Sequence, residues 1–90
     1  MSSAVSWTLD RERLADALAR WYALEPDTVS IAHVDEFLMD LVIEPFECGV
    51  EDGETGNFTG RAGSDARAIV IVYVPDRDLR RVFVADINFA

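Results

Sequence analysis

The stretch 68–74 narrows what this chain can become more than any other. Ala68, Val70, Val72 and Val74 fall on one side of an extended strand, and Ile69, Ile71 and Tyr73 on the other. Side chains alternate across a strand, so both faces are apolar and residues 67–74 read as a central strand covered on both sides. Pro75, Asp76, Arg77 and Asp78 supply turn chemistry. Residues 81–89 return beside the first strand. Strict alternation puts Phe83, Ala85, Ile87 and Phe89 on one face and Val82 and Val84 on the other, where Asp86 and Asn88 turn that second face polar.

Two helices are expected before this hairpin. In 10–24, Asp10 is placed as the N-cap, and Leu9 and Leu14 as the two members of a hydrophobic staple. Leu14, Ala17, Leu18, Trp21 and Tyr22 recur at helical spacing and form the face expected to be buried. Pro26 stops the helix by pushing Glu25 out of helical dihedrals. In 30–43, Ile31, Val34, Phe37, Leu38, Leu41 and Val42 gather into an arc of about 140° at 100° per residue. Ser30 or Asp27 is the cap. The rival reading is a strand at 28–34, where Val29, Ile31 and His33 alternate. The helix reading places His33, Glu36, Asp40 and Glu44 in one stripe on the opposite side.

The remaining segments are short. Residues 1–8 are an arm whose Trp7 is expected to anchor on the core. Residues 46–51 alternate as a half-buried strand, with Phe46, Cys48 and Val50 inward and Glu47, Gly49 and Glu51 outward; Pro45 suits its start. Residues 52–57 are a turn, 58–61 a short returning strand and 62–65 a loop. The expected architecture is α+β: a single two-layer domain over 1–90, with two N-terminal helices packed on a three- to four-stranded antiparallel meander. Ninety residues leave no room for two cores. The second apolar face of the central strand needs a cover, either a helix or a second copy of the chain, so a homodimer fits a chain of this size.

Charge is distributed unevenly. Residues 25–54 hold ten carboxylates (Glu25, Asp27, Asp35, Glu36, Asp40, Glu44, Glu47, Glu51, Asp52 and Glu54) and no basic residue. Residues 1–24 balance at three acids and three arginines, and residues 55–90 hold four acids and five arginines, so the whole net charge of −9 sits in the middle third. A pI near 4.3 argues against direct binding to nucleic acid or anionic lipid, which require a basic footprint. One cysteine, Cys48, allows no internal disulfide and suits a reducing compartment. The first ten residues have neither the basic nor the apolar region of a signal peptide, and no apolar run spans a membrane. The expected location is the cytoplasm.

Motifs for chemistry are sparse. His33 is the single histidine, and Ser30 three residues before it lacks any evident oxyanion hole. Cys48 lies among acids, which oppose a thiolate. His33, Glu36 and Asp40 could form half of a mixed nitrogen–oxygen metal site, but no second histidine or cysteine pair completes it. The 51–57 loop misses the order of an EF-hand, and the glycines at 56, 60 and 63 come without the lysine of a phosphate loop. No catalytic residue and no cofactor is expected.

The acidic block therefore carries the functional expectation. Ordinary surfaces mix both signs, because like charges held close destabilise a fold. Asp35, Glu36, Asp40, Glu44, Glu47, Glu51, Asp52 and Glu54 are the candidate partner-binding residues. They suit an interaction or inhibitor protein, not an enzyme, docking on a basic surface of a nucleic-acid-handling partner. Glu36, Asp40 and Glu44 would rise about 6 Å per step along a helix, coarsely like backbone phosphates. In size and charge the chain is similar to phage-encoded anti-restriction and anti-CRISPR proteins, which implies nucleic-acid mimicry. The alternatives are an antitoxin or immunity protein for a basic toxin, and a small metal-binding enzyme or ligand-binding dimer using His33, Glu36 and Asp40.

Overall fold

The computed structural model describes residues 7–90. Two helices, α1 (Arg11–Ala23) and α2 (Thr28–Leu41), pack on one face of a five-stranded sheet. The strands are β1 (Thr8–Leu9), β2 (Gly49–Glu51), β3 (Phe58–Gly63), β4 (Ala68–Asp76) and β5 (Arg81–Phe89), in spatial order β1-β5-β4-β3-β2. The α+β architecture agrees with expectation. The sheet has one strand more than expected and is mixed, because β1 runs parallel to β5 while every other pairing is antiparallel. The radius of gyration is 12.8 Å, close to the ~12 Å of a single packed domain of this length.

Both helices start where their caps predict. The Asp10 carboxylate accepts from the Arg13 N–H at 3.0 Å, and the Asp27 carboxylate from the Ser30 N–H at 2.7 Å. Each satisfies one of the donors a helix start leaves free. Residues 28–34 are thus helix, and Val34, Phe37, Leu38 and Leu41 are buried as the arc required. On α1, Ala17 and Trp21 are fully buried and Leu14 and Leu18 pack partly against the core. Tyr22, expected on that face, is 48% exposed. Glu25 has φ 53°, a left-handed conformation at the helix end where glycine is favoured. Glu25→Gly is expected to gain about 1 kcal/mol and raise Tm by roughly 5 °C in a thermal melt.

The N-terminal arm, as far as it is described, is tied down. Residues 1–6 lie outside the described residues. Trp7 is buried and stands edge-on to Phe46 with ring centres 5.5 Å apart. Next to it Thr8 donates to the Arg80 carbonyl (3.1 Å) and Asp10 to that of Val82 (2.8 Å). Two residues of arm thereby become β1 and blunt the start of the β5 edge.

A bulge corrects the expected faces of β5. Val72 pairs with Asp86 but Tyr73 pairs with Val84, so Ala85 is left over between them. One extra residue reverses the alternation. Val82, Val84 and Ile87 all reach the helix side and are buried, whereas Phe83, Asp86 and Asn88 register with Val74, Val72 and Val70 on the other face. Strict alternation would have put Val84 and Ile87 on opposite faces. Arg20 of α1 reaches the bulge and donates to the Ala85 carbonyl at 2.7 Å.

The core lies between the sheet and the helices. Trp21 packs on Phe89 (4.9 Å between ring centres), so α1 lies along β5. Phe37 packs on Tyr73 (5.9 Å) above Gly60, so α2 lies over β3. No segment among the described residues covers the opposite face of the sheet, and no helix among them is long and apolar enough to cross a membrane.

Candidate functional site

The segment after α2 is fixed by one buried hydrogen bond. The Tyr73 hydroxyl donates to the Pro45 carbonyl at 2.7 Å, and both residues are buried. Pro45 therefore belongs to a turn over the core, not to a strand. The expected strand at 46–51 shrinks to Gly49–Glu51; Phe46 and Cys48 pack partly against the core as expected, and the faces reverse from Gly49 onward. Gly49 pairs with Gly60 and faces the core, and a Cβ there would sit 2.7 Å from the Thr59 carbonyl oxygen. Val50, expected inward, is 78% exposed. Packing against Tyr73 and Thr59 decided the register, and only glycine fits the inward position.

These elements place the eight candidate carboxylates. Asp35, Glu36 and Asp40 project from α2, Glu44 and Glu47 from the turn that follows, Glu51 from β2, and Asp52 and Glu54 from the β2–β3 turn. All eight are exposed. Glu44 does not extend the helical stripe, because α2 ends at Leu41 and the chain turns through hydrogen bonds from Ile43 and Glu44 to the Asp40 carbonyl. The row expected to step like phosphates thus has two members on the helix, Glu36 and Asp40. In the β2–β3 turn the Asp52 carboxylate accepts from the Glu54 N–H at 2.9 Å, and Gly56 turns at φ 78°.

Most of these carboxylates do nothing for the fold. Among the described residues, Asp35, Asp40, Glu44, Glu47, Glu51 and Glu54 make neither an ion pair nor a side-chain hydrogen bond. Glu36 lies 3.8 Å from the His33 Nδ1. Asp27, the cap, meets Arg67 at 4.0 Å, and its carboxyl is held below the usual carboxylate range chiefly by the Ser30 N–H.

Three dimensions bring arginines to the margins of a block that has none in sequence. Arg61 of β3 lines a shallow groove of about 170 Å³ with His33, Glu36 and Asp40. Arg67 pairs with Asp27. Arg77 lies over the Phe46 ring at 4.1 Å and shares a groove of about 500 Å³ with Glu51, Asp76 and Asp78. Sequence separation hid these neighbours. Exposed apolar side chains also stand among the acids: Met39 is 69% and Ile43 45% exposed, along with Val50. Residue type alone marks all three as core, and only register and helix phase expose them.

The alternative chemistries gain no support from the geometry. Ser30 is buried, and no hydrogen bond joins it to His33. Among the described residues no group of three or more His, Cys, Asp and Glu side chains converges as metal ligands would, so His33, Glu36 and Asp40 share a groove without forming a cage. The Cys48 thiol donates to the Glu44 carbonyl at 3.2 Å, and its pKa is pushed up, first by burial and then by Asp40, Glu44 and Glu47. An alkylating reagent is expected to label Cys48 more slowly at pH 7.5 than it labels a free thiol.

Burial also pushes the Tyr73 hydroxyl well above its usual range, with Cys48 the smaller cause. Both groups are neutral in the fold and ionise more easily in the unfolded chain. Stability is therefore complete below the unfolded pKa values, about 8.5 for Cys and 10 for Tyr, and falls as pH rises past them. A Tm profile from pH 7 to 11 should bend downward above about pH 9. Tyr73→Phe should flatten its upper limb while lowering Tm at pH 7, because the Pro45 carbonyl loses its donor.

Compared with protein-family models, curated proteins and solved structures, the chain matches none.

Proposed function

We propose that this protein is a small acidic interaction protein that docks its carboxylate surface on a basic surface of a nucleic-acid-handling partner. The observation that carries the reading is the idleness of the carboxylates. Six exposed acids with no part in the fold add self-repulsion to a chain already at −9. A purely solvated surface would be better served by mixed signs.

The contacts follow from chemistry. Partner arginines would take Glu44, Glu47, Glu51 and Glu54 through paired, charge-assisted hydrogen bonds. Met39, Ile43 and Val50 would supply the apolar contacts that fix a docked pose, since interfaces draw much of their affinity from buried anchors. Nucleic-acid mimicry of the anti-restriction or anti-CRISPR kind is the specific form of this reading. In that form the turn and β2 acids do more than the helix row.

Capture from the host lysate at low and at high salt tests the proposal. The expected result is a basic, nucleic-acid-handling protein retained at low ionic strength and released as salt rises, because exposed charge pairs are screened beyond about 10 Å at 0.1 M. A partner held equally at both, or one with no basic surface, overturns it.

A further inference from the structure

We propose that the open face of the sheet is a homodimer interface, closed by a second copy of this chain about a two-fold axis parallel to β4. The face is apolar at its centre, where Val70, Val72 and Val74 of β4 lie beside Phe83 of β5. Both helices pack on the other side, so these side chains stay half-exposed. A shallow hollow of about 420 Å³, lined by Arg13, Asn57, Val74, Phe83, Val84 and Ala85, indents one end of the face.

The flanks of the face indicate what covers it. Arg61 and Thr59 stand on β3, and Asn88 and Asp86 stand on β5. Register places Arg61 and Asn88 on either side of Val70, and Thr59 and Asp86 on either side of Val72. At the level of Val70 and Val72 a cation therefore borders the β3 side of the apolar strip and a carboxylate the β5 side, while Arg13 and Arg81 lie toward the Phe83 end. A two-fold axis along β4 lays β3 of each protomer over β5 of its partner, with β4 on β4. Arg61 then stands over Asn88 of the other copy, with Asp86, which accepts from the Asn88 amide, two residues along the same strand, twice by symmetry as an isologous contact requires. The same rotation carries the second copy's Phe83 toward the Asn57–Val74 side of the hollow. The perpendicular axis, running across the strands, lays β5 on β5 and β3 on β3, and so never brings Arg61 onto Asp86. Arg61 makes no ion pair within its own chain among the described residues.

The size of the face sets the strength. Three to four strands about 4.8 Å apart and seven residues at about 3.4 Å each give roughly 350–450 Å² per protomer. The total falls below the ~1,200 Å² typical of tight complexes, so the dimer is weak and forms only as concentration rises. This inference does not depend on the acidic surface, whose carboxylates lie on α2, the turn after it, β2 and the β2–β3 turn; the two surfaces meet at Arg61, which also lines the α2 groove, and at Val50, which lies beside Thr59.

Sedimentation equilibrium of the full chain tests it, starting from the monomer mass of 10.0 kDa. The mass is expected to approach twice that value as concentration rises through the micromolar range. Arg61→Asp and Asp86→Arg should each weaken association about tenfold, and the two together should restore it. Val72→Glu should abolish association, with an unchanged circular dichroism spectrum showing that the chain still folds. A monomer at every concentration to about 1 mM, or single reversals without effect, overturns the proposal. So does a double reversal that fails to restore association while its circular dichroism spectrum stays unchanged, a control needed because Asp86 is half-buried and accepts from the Asn88 amide.

Discussion

Gly60→Val is expected to lower Tm by roughly 15 °C or more, the largest effect of any single substitution on the sheet. A Cβ at position 60 would lie 2.3 Å from Phe37 Cζ, 2.6 Å from Cε2 and 2.8 Å from the Cys48 carbonyl oxygen. The Phe37 ring sits where a side chain would be, and it is the ring that seats α2 on β3. Valine forces it out. The loss combines overpacking, about 1–3 kcal/mol, with the contacts Phe37 makes to Tyr73. At 4–8 °C per kcal/mol a domain this small loses much of its margin. Phe37→Ala together with Gly60→Val should recover part of the stability of Gly60→Val alone, because the ring clash goes and the carbonyl clash stays. Gly53→Val is the control: nothing lies within 4 Å of its Cβ position, so the change should stay within about 0.5 kcal/mol. Equal losses at positions 53 and 60 would refute this account of the α2 seat.

That seat also shows where sequence reading stops. The helices were legible because their signals are local: Asp10 and Asp27 cap within three residues, and Val34, Phe37, Leu38 and Leu41 repeat at helical spacing. β4 was legible because seven apolar residues in a row fit few other environments. The features that depart from expectation are set by non-local contacts. Gly60 is an unmarked position of the expected strand at 58–61 until Phe37, far away in sequence, is placed on it. Ala85 looks like an ordinary strand position, yet the bulge there is what lets Val84 and Ile87 share a face. Residues 46–51 alternate convincingly, but Tyr73 claims the Pro45 carbonyl and shifts the alternation by one. Thr8 and Leu9 carry no strand signal of their own; they pair because Trp7 is anchored beside them. The acidic block was visible as composition. Its arginine margin, Arg61, Arg67 and Arg77, arises from folding.

Reversing Glu44, Glu47, Glu51 and Glu54 to lysine is expected to weaken capture of a basic partner by more than about 100-fold while leaving the fold intact. None of the four carboxylates makes an ion pair or a side-chain hydrogen bond among the described residues, so folding loses nothing. Net charge moves from −9 by +8 to −1, and relief of repulsion should hold Tm level or raise it slightly. Charge alone would weaken any basic partner, so place must be separated from sum. Lysine at Glu12, Ala15, Asp16, Ala19 and Asp65 adds the same eight positive charges and gives the same −1 from exposed positions away from the block. This matched variant should keep most of the affinity and lose mainly association rate, because steering follows the whole field whereas short-range pairing follows the surface. Equal loss in both variants would leave net charge as the whole effect and remove the specific surface. His33→Ala separates the remaining alternative: binding should persist without the imidazole, and its disappearance would transfer the activity to the His33, Glu36 and Asp40 groove.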